Sequence, residues 1–129
     1  MIDVATIQGW LDKLGFESAL EGRAALRLRQ RSGEAKHPPF FIQCSEHWVL
    51  LSMLPMLPAS EFRSDDLNRR LLAANREMRL VKFAIDKNGD IVLCAELPTE
   101  SLDRSELADA VARMVEYARL FDVELMRLT

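Results

Sequence analysis

The segment of residues 80–97 constrains the fold of this chain more than any other. Two apolar runs, Leu80–Asp86 and Ile91–Leu97, flank the pair Asn88-Gly89. Asn-Gly between two such runs is the strongest short-range signal of a β-hairpin with a two-residue type I′ turn. The sequence therefore predicts an antiparallel pair of strands here.

That turn predicts the register of the hairpin, with Asp86 opposite Ile91 and Phe83 opposite Cys94. One face would then carry Val81, Phe83, Ile85, Val92 and Cys94. The other would carry Leu80, Ala84, Ile91, Leu93, Ala95 and Leu97, with Lys82 and Asp86. Both faces are apolar in this register, and one layer of helices can cover only one of them. We therefore expect a second chain, a ligand or strong sheet curvature on the other side.

Hydrophobic periodicity predicts the remaining elements. Apolar residues at helical spacing indicate three amphipathic helices, and alternating or continuous apolar runs indicate three more strands. The helices are expected at about Val4–Leu14, after Ser64 and after Asp103, and the strands at Arg23–Arg31, Phe40–Cys44 and Trp48–Met53. Pro55 and Pro58 are expected to end the last of these strands, because proline removes donors from a central ladder.

The element order is α-β-β-β-α-β-β-α, and the short connections favour antiparallel pairing. The sequence predicts a single α+β domain over residues 1–129, with two layers: a mainly antiparallel sheet and helices on one face. Which face the helices cover is open, and Val123–Leu128 could continue the last helix or form an edge strand.

Charge and cysteine content narrow the function. The chain has 17 basic and 20 acidic side chains and a net charge of -3, which argues against a dedicated nucleic-acid binder. The start of the chain lacks the pattern of a secretory signal, and two cysteines are too few for a disulfide scaffold. We expect a cytoplasmic protein with reduced thiols.

Cys44 and His47 form the main candidate for chemistry, with a C-x-x-H spacing. Together with His37 and Cys94 they make up the residue types of a zinc site, but Cys94 has no partner at short spacing. Cysteines in strands are more often small core residues, so we expect no metal and no cofactor. The alternative is a metal- or thiol-dependent enzyme that uses Cys44 and His47.

Two further features favour contact with other molecules. Arg23, Arg27, Arg29 and Arg31 alternate along one strand. This stripe is most simply a solvated face, and the alternatives are an acidic protein partner or weak nucleic-acid binding. The run from Met53 to Pro58, with Met56 and Leu57, is an apolar loop that either packs over the core or forms an adaptable lip for a partner.

The second half of the chain resembles the YbjN-like family and its structural relatives, the class I chaperones of type III secretion. The resemblance lies in Leu71-Leu72-Ala73-Ala74-Asn75, Lys82-Phe83-Ala84-Ile85-Asp86, Gly89-Asp90-Ile91-Val92-Leu93 and Leu97-Pro98, followed by Leu102 and a helix near Leu107. Secretion chaperones tend to have a glycine-rich approach to the strand with the Phe-Ala-Ile-Asp-like motif. Here Arg79-Leu80-Val81-Lys82 stands instead, which favours the YbjN-like branch.

The resemblance implies a small α+β dimer without enzymatic activity. Such chaperone dimers hold an extended segment of a partner, and the YbjN branch is described as sensory-transduction regulators. We therefore expect a non-enzymatic protein-binding module, chaperone-like or regulatory, that acts as a homodimer on an extended segment of an unidentified protein. The expected contact residues are Arg27, Arg29, Met53, Met56, Leu57, Ile91, Leu93 and Leu97.

Overall fold

A computed structural model describes residues 2–34, 36–61 and 64–122, so the segment Val123–Leu128 lies outside the described residues. Within these ranges the chain forms three helices and six strands. They are α1 (Val4–Lys13), β1 (Ser18–Leu20), β2 (Ala25–Leu28), β3 (Phe40–Cys44), β4 (Trp48–Leu57), α2 (Asp65–Glu77), β5 (Lys82–Ile85), β6 (Ile91–Pro98) and α3 (Arg104–Leu120).

The strands form one antiparallel sheet in the order β1-β2-β3-β4-β6-β5, which confirms the α+β prediction. One strand, β1, was not predicted. It is only three residues long, and its side chains are half-buried or exposed, so it has no hydrophobic period to recognise. It pairs with β2 and forms one edge of the sheet, while β5 forms the other.

The helices cover one face of the sheet. Burial alternates along the strands, and one side of β2, β3 and β4 supplies the core residues Leu26, Leu28, Phe40, Ile42, Val49, Leu51 and Met53. Helix α1 contacts β1 and β2, α2 contacts β5, and α3 contacts β4 and β6. We call the other side of the sheet the outer face; it carries Ala25, Arg27, Phe41, Gln43, Trp48, Leu50, Ser52, Lys82, Ala84, Val92, Cys94 and Glu96.

Local side-chain chemistry sets where α2 and α3 begin. The Ser64 hydroxyl accepts a hydrogen bond from the Leu67 N–H at 3.0 Å, and the Asp103 carboxylate accepts one from the Glu106 N–H at 2.8 Å. Each bond satisfies a backbone donor that the first turn of a helix leaves free. Both caps fall where the sequence predicts them.

The register of the β5–β6 hairpin differs from the prediction by one residue. Ile85 lies opposite Ile91 and Phe83 opposite Leu93. The loop holds three residues rather than two, because Gly89 takes a φ of +86° and its N–H donates to the Asp86 carbonyl at 3.0 Å. The Asp86 carboxylate also accepts from the Asn88 and Asp90 N–H groups, which fixes the loop.

The shift changes which hairpin residues share a face, since side chains alternate along a strand. Phe83, Ile91, Leu93, Ala95 and Leu97 all lie on the core side and are buried. The outer side carries Lys82, Ala84, Val92, Cys94 and Glu96, which is a mixed surface. The prediction that both faces of the hairpin are apolar is therefore wrong.

Strand β4 also differs from the prediction, because it continues through Pro55 to Leu57. Its pairing with β6 shifts register between Met53 and Leu57. Pro55 lies inside this irregular stretch, where the pairing of β4 with β6 needs no backbone N–H donor at position 55. The apolar run therefore extends the central strand, and it is not a separate loop.

Candidate protein-binding surface

Most of the apolar residues predicted to contact a partner lie in the core of the single chain. Met53, Leu57, Ile91, Leu93 and Leu97 are all at most 7% exposed. The three from β6 lie on the side of the sheet that the helices cover, and the continuation of β4 places Leu57 there as well. These side chains are already covered, so we do not assign them to a binding surface. Met56 is half-buried and packs against the core.

The arginine stripe is divided between internal and external contacts. Arg31 lies over the Phe16 ring, 3.5 Å from the ring centroid, and donates to the Leu14 carbonyl. Arg29 forms an exposed ion pair with Glu17 at 3.2 Å. Arg27 lies over the Phe41 ring on the outer face, 5.7 Å from its centroid. The stripe is therefore not one continuous basic surface, and Arg27 contacts an apolar group of the outer face, Phe41.

The outer face is organised in rows that run across the strands. Arg27, Phe41, Ser52, Cys94 and Lys82 form one row on successive strands. Ala25, Gln43, Leu50 and Glu96 form the next row. Phe41 and Leu50 are only half-buried. The face therefore combines an apolar centre with separate cationic and anionic positions.

A groove between α2 and β5 is lined mainly by apolar side chains. It has a volume of about 350 Å³ and is lined by Asn68, Leu71, Leu72, Asn75, Phe83, Ala84, Ile85 and Ile91. Leu72 and Ile85 are the two most exposed large apolar side chains in the described part of the chain, at 70% and 61%. Exposed apolar groups gathered at one place are typical of an interaction surface. We call this surface the α2–β5 groove.

The sequence reasoning did not single out Leu72 or Ile85 as exposed residues. Leu72 directly follows Leu71, and it falls outside the apolar stripe through which α2 faces the core. That departure from the helical period is a signal that could have revealed it. Ile85 could not be placed without the correct register, because the predicted register puts it on a different face from Ile91.

Polar contacts fix α2 against β5 beside this groove. The Phe83 N–H donates to the Asn75 side-chain oxygen at 2.8 Å, and the Asn75 side-chain nitrogen donates to the Phe83 carbonyl at 3.0 Å. The Lys82 ammonium donates to the carbonyls of Asn75 and Met78, both at 2.6 Å. A cation at these carbonyls also complements the negative end of the helix dipole. The wall of the groove is therefore held in place.

Cys44 and His47 do not form an evident reactive pair. Burial, with a smaller contribution from the charge of Asp3, raises the pKa of the Cys44 thiol, which disfavours the thiolate needed of a nucleophile. The His47 ring is exposed and lies 3.9 Å from Glu46. A shallow hollow of about 590 Å³ has Cys44 in its lining but not His47.

Neither zinc binding nor membrane crossing is indicated in the described ranges. No three His, Cys, Asp or Glu side chains there are grouped so that they could hold a metal ion. Among these same residues, no helix is long and apolar enough to cross a membrane. Burial, followed by the charge of Glu96, also raises the pKa of Cys94.

Beyond the α+β fold, the LLAAN segment of α2 and the hairpin, the chain matches a protein family along nearly its whole length. Residues 3–126 match the model of the YbjN family, whose description reads "Putative bacterial sensory transduction regulator". This chain belongs to the YbjN family. The match extends over both halves of the sequence, whereas the motifs that carry the resemblance lie only in the second. No curated protein matches the chain.

Solved structures agree with the family assignment. YbjN from E. coli has 20% identity and a TM-score of 0.68, covering 94% of this chain and 92% of its own. A chain of the heterodimeric ExoU–SpcU complex from the type III secretion system of Pseudomonas aeruginosa has 26% identity and a TM-score of 0.66, with 88% and 92% covered. A chain of the HopA1–SchA chaperone–effector complex has 15% identity and a TM-score of 0.61, with 92% and 96% covered. The likeness to YbjN and to secretion chaperone complexes is thus one of fold across nearly the whole chain.

Proposed function

We propose that this YbjN-family chain is a non-enzymatic protein-binding module, chaperone-like or regulatory, which pairs with a second copy of itself. We further propose that the dimer holds an extended segment of a partner protein. The observation that carries the first part is the exposure of Leu72 and Ile85 in the α2–β5 groove. The chaperone–effector complexes among the similar structures support the second part.

Self-association explains why two large side chains stand in water on neighbouring elements. In a symmetric dimer the same patch meets itself, so four large apolar groups leave water together. Full burial of each such side chain stabilises the assembly by about 1.5–3 kcal/mol. The groove beside them gives each exposed side chain a concave apolar surface to enter.

We propose that the two α2 helices meet in antiparallel orientation about a two-fold axis at Leu72. The two helix dipoles then run in opposite directions, which is favourable.

The outer face is the surface that we assign to the partner. Phe41 and Leu50 supply apolar contact there, and Arg27 beside them offers a guanidinium for a carboxylate of the partner. Arg29 lies nearby but already pairs with Glu17. Both cysteines, Cys44 and Cys94, are free thiols, which supports the cytoplasm as the proposed site of action.

Light scattering on variants of the groove tests self-association. We expect the wild-type chain to have the mass of two chains, and Leu72→Glu or Ile85→Lys to have the mass of one. Leu72→Glu leaves α2 helical, since Arg69 and Arg76 stand three and four residues away. Leu20→Glu is the matched control, because Leu20 is 60% exposed but lies at the opposite edge of the sheet. A Leu72→Glu variant that stays dimeric, or a monomeric wild type, would overturn the proposed dimer.

Affinity capture from native extract tests the partner surface. We expect Arg27→Glu to lose a protein that the wild type retains, while Arg104→Glu, which reverses an exposed charge at the start of α3, retains it. Equal retention by Arg27→Glu and wild type would remove the outer face as the partner surface.

A further inference from the structure

Among the described strands, β5 is the last of the sheet, and it pairs there with β6 alone. Its other side is a place where another strand could add. An edge strand presents unpaired backbone N–H and C=O groups, and such groups invite pairing with other chains. Ile85, in this strand, is 61% exposed, so the edge is apolar as well as open.

The backbone of Phe83 is not open to such pairing, because Asn75 already occupies it. The Phe83 N–H donates to the Asn75 side-chain oxygen at 2.8 Å, and the Asn75 side-chain nitrogen donates back to the Phe83 carbonyl at 3.0 Å. The Asn75 side chain thus accepts one hydrogen bond from the Phe83 backbone and donates one to it. A residue of an added antiparallel strand would make the same exchange in a hydrogen-bonded pair.

The position of the Asn75 amide is set by the end of α2. Asn75 lies in the last turn of the helix, and the Lys82 ammonium of β5 donates to the backbone carbonyls of Asn75 and Met78. The helix end and the strand therefore hold each other through Asn75 and Lys82. A strand that added at Phe83 would have to displace the Asn75 side chain and break both of its hydrogen bonds.

We propose that Asn75 takes the place of a neighbouring strand, and that it closes the β5 edge to strand addition. The second consequence rests on the proposed function: self-association at this edge is a contact between side chains of the α2–β5 groove and not a continuation of the sheet. Asn75 is thus a residue that determines the mode of association and not a catalytic residue.

The test compares Asn75→Ala with Glu77→Ala, since both residues lie in the last turn of α2 but Glu77 is exposed and does not line the groove. Mass is measured by light scattering over a concentration series, and amide hydrogen exchange is measured at Phe83. We expect Asn75→Ala to form species larger than the wild type as concentration rises. We expect its Phe83 amide to exchange at least tenfold faster than in the wild type when dilute, and to regain protection in the larger species. Glu77→Ala should match the wild type in both measurements.

A second change links the larger species to the edge. Adding Ile85→Lys to Asn75→Ala should return the mass to that of the Ile85→Lys variant alone, because a charge on an edge strand opposes pairing. A folded Asn75→Ala with the wild-type mass at every concentration would overturn the proposal. If Asn75→Ala does not fold, Asn75→Asp, which can accept from Phe83 but cannot donate to it, is judged by its mass over the same concentration series. A monomeric wild type would remove the proposed dimer but leave this comparison intact.

Discussion

Leu80 lies in the connection between α2 and β5 and has a strained backbone conformation. It joins α2 to β5 and has a φ of +70°, a conformation that side chains other than glycine seldom adopt. The Val81 N–H donates to the Arg79 carbonyl across it at 2.7 Å, as in a γ-turn. This tight turn lets β5 return beside α2, close enough for Asn75 and Lys82 to connect the two elements.

A β-branched residue at this position should be costly. We expect Leu80→Val to lower the free energy of unfolding by about 1–2 kcal/mol, because branching at Cβ tolerates positive φ poorly. Leu20→Val, the same change in an exposed strand residue, should stay within about 0.5 kcal/mol of the wild type. Urea denaturation measures both, and equal losses from the two variants would show that the turn holds no strain.

Asp103 makes the stability of the α3 N-terminus depend on pH in the acid range. The N–H of Glu106, and then the hydroxyl of Ser105, hold the pKa of the Asp103 carboxyl below its ordinary value. A depressed folded-state pKa stabilises the protein above the unfolded-state pKa of about 3.9, and this contribution disappears as the pH falls through the lower folded-state pKa. We expect the melting temperature of Asp103→Asn to fall less steeply than that of the wild type below about pH 4. Identical slopes would contradict this.

At the scale of elements, the hairpin shows what the sequence could and could not predict. Both strands and the turn position follow from apolar runs around Asn88-Gly89. The register does not, because Asn-Gly suits a two-residue turn and Gly89 equally suits the left-handed position of a three-residue loop. Which face the helices cover also could not be predicted, and Ile91, Leu93 and Leu97 lie on the covered face and not on the expected binding surface.

The groove could not be predicted from the sequence, because sequence pattern shows local structure and not how distant elements pack. The caps of α2 and α3 depend on neighbouring residues, so Ser64 and Asp103 could be read from the sequence. Leu72 departs from the helical period of α2, so its exposure could also be read from the sequence. The exposure of Ile85, and its place beside Leu72, depend on how α2 lies against β5, which is a long-range property.

Two glycine-to-alanine substitutions, one in the hairpin loop and one in α1, should change stability in opposite directions. Gly89 has positive φ, and a Cβ added there would lie 3.3 Å from the Ala59 Cβ, so Gly89→Ala should lower the free energy of unfolding by about 1–2 kcal/mol. Gly9 lies in α1 with nothing within 4 Å of an added Cβ, so Gly9→Ala should raise it by about 0.5–1 kcal/mol. Thermal unfolding compares them, and a neutral Gly89→Ala would contradict the three-residue loop.

Considered as a whole molecule, the chain divides its apolar surface unevenly. Three helices on one face bury a continuous core, while the outer face and the α2–β5 groove keep Phe41, Leu50, Leu72 and Ile85 partly or largely in water. We propose that the groove binds a second copy and that the outer face binds a partner. The central proposal is that two α2 helices meet around Leu72.

Disulfide trapping at Leu72 tests that claim most directly, because a residue on a two-fold axis faces its own copy. Leu72→Cys is prepared with Cys44 and Cys94 replaced by alanine, and Leu20→Cys in the same background is the control. After mild oxidation, the account predicts that most of the Leu72→Cys protein becomes a covalent dimer and that Leu20→Cys stays a single chain. A Leu72→Cys protein that remains a single chain, or that links no more than Leu20→Cys does, would contradict the account.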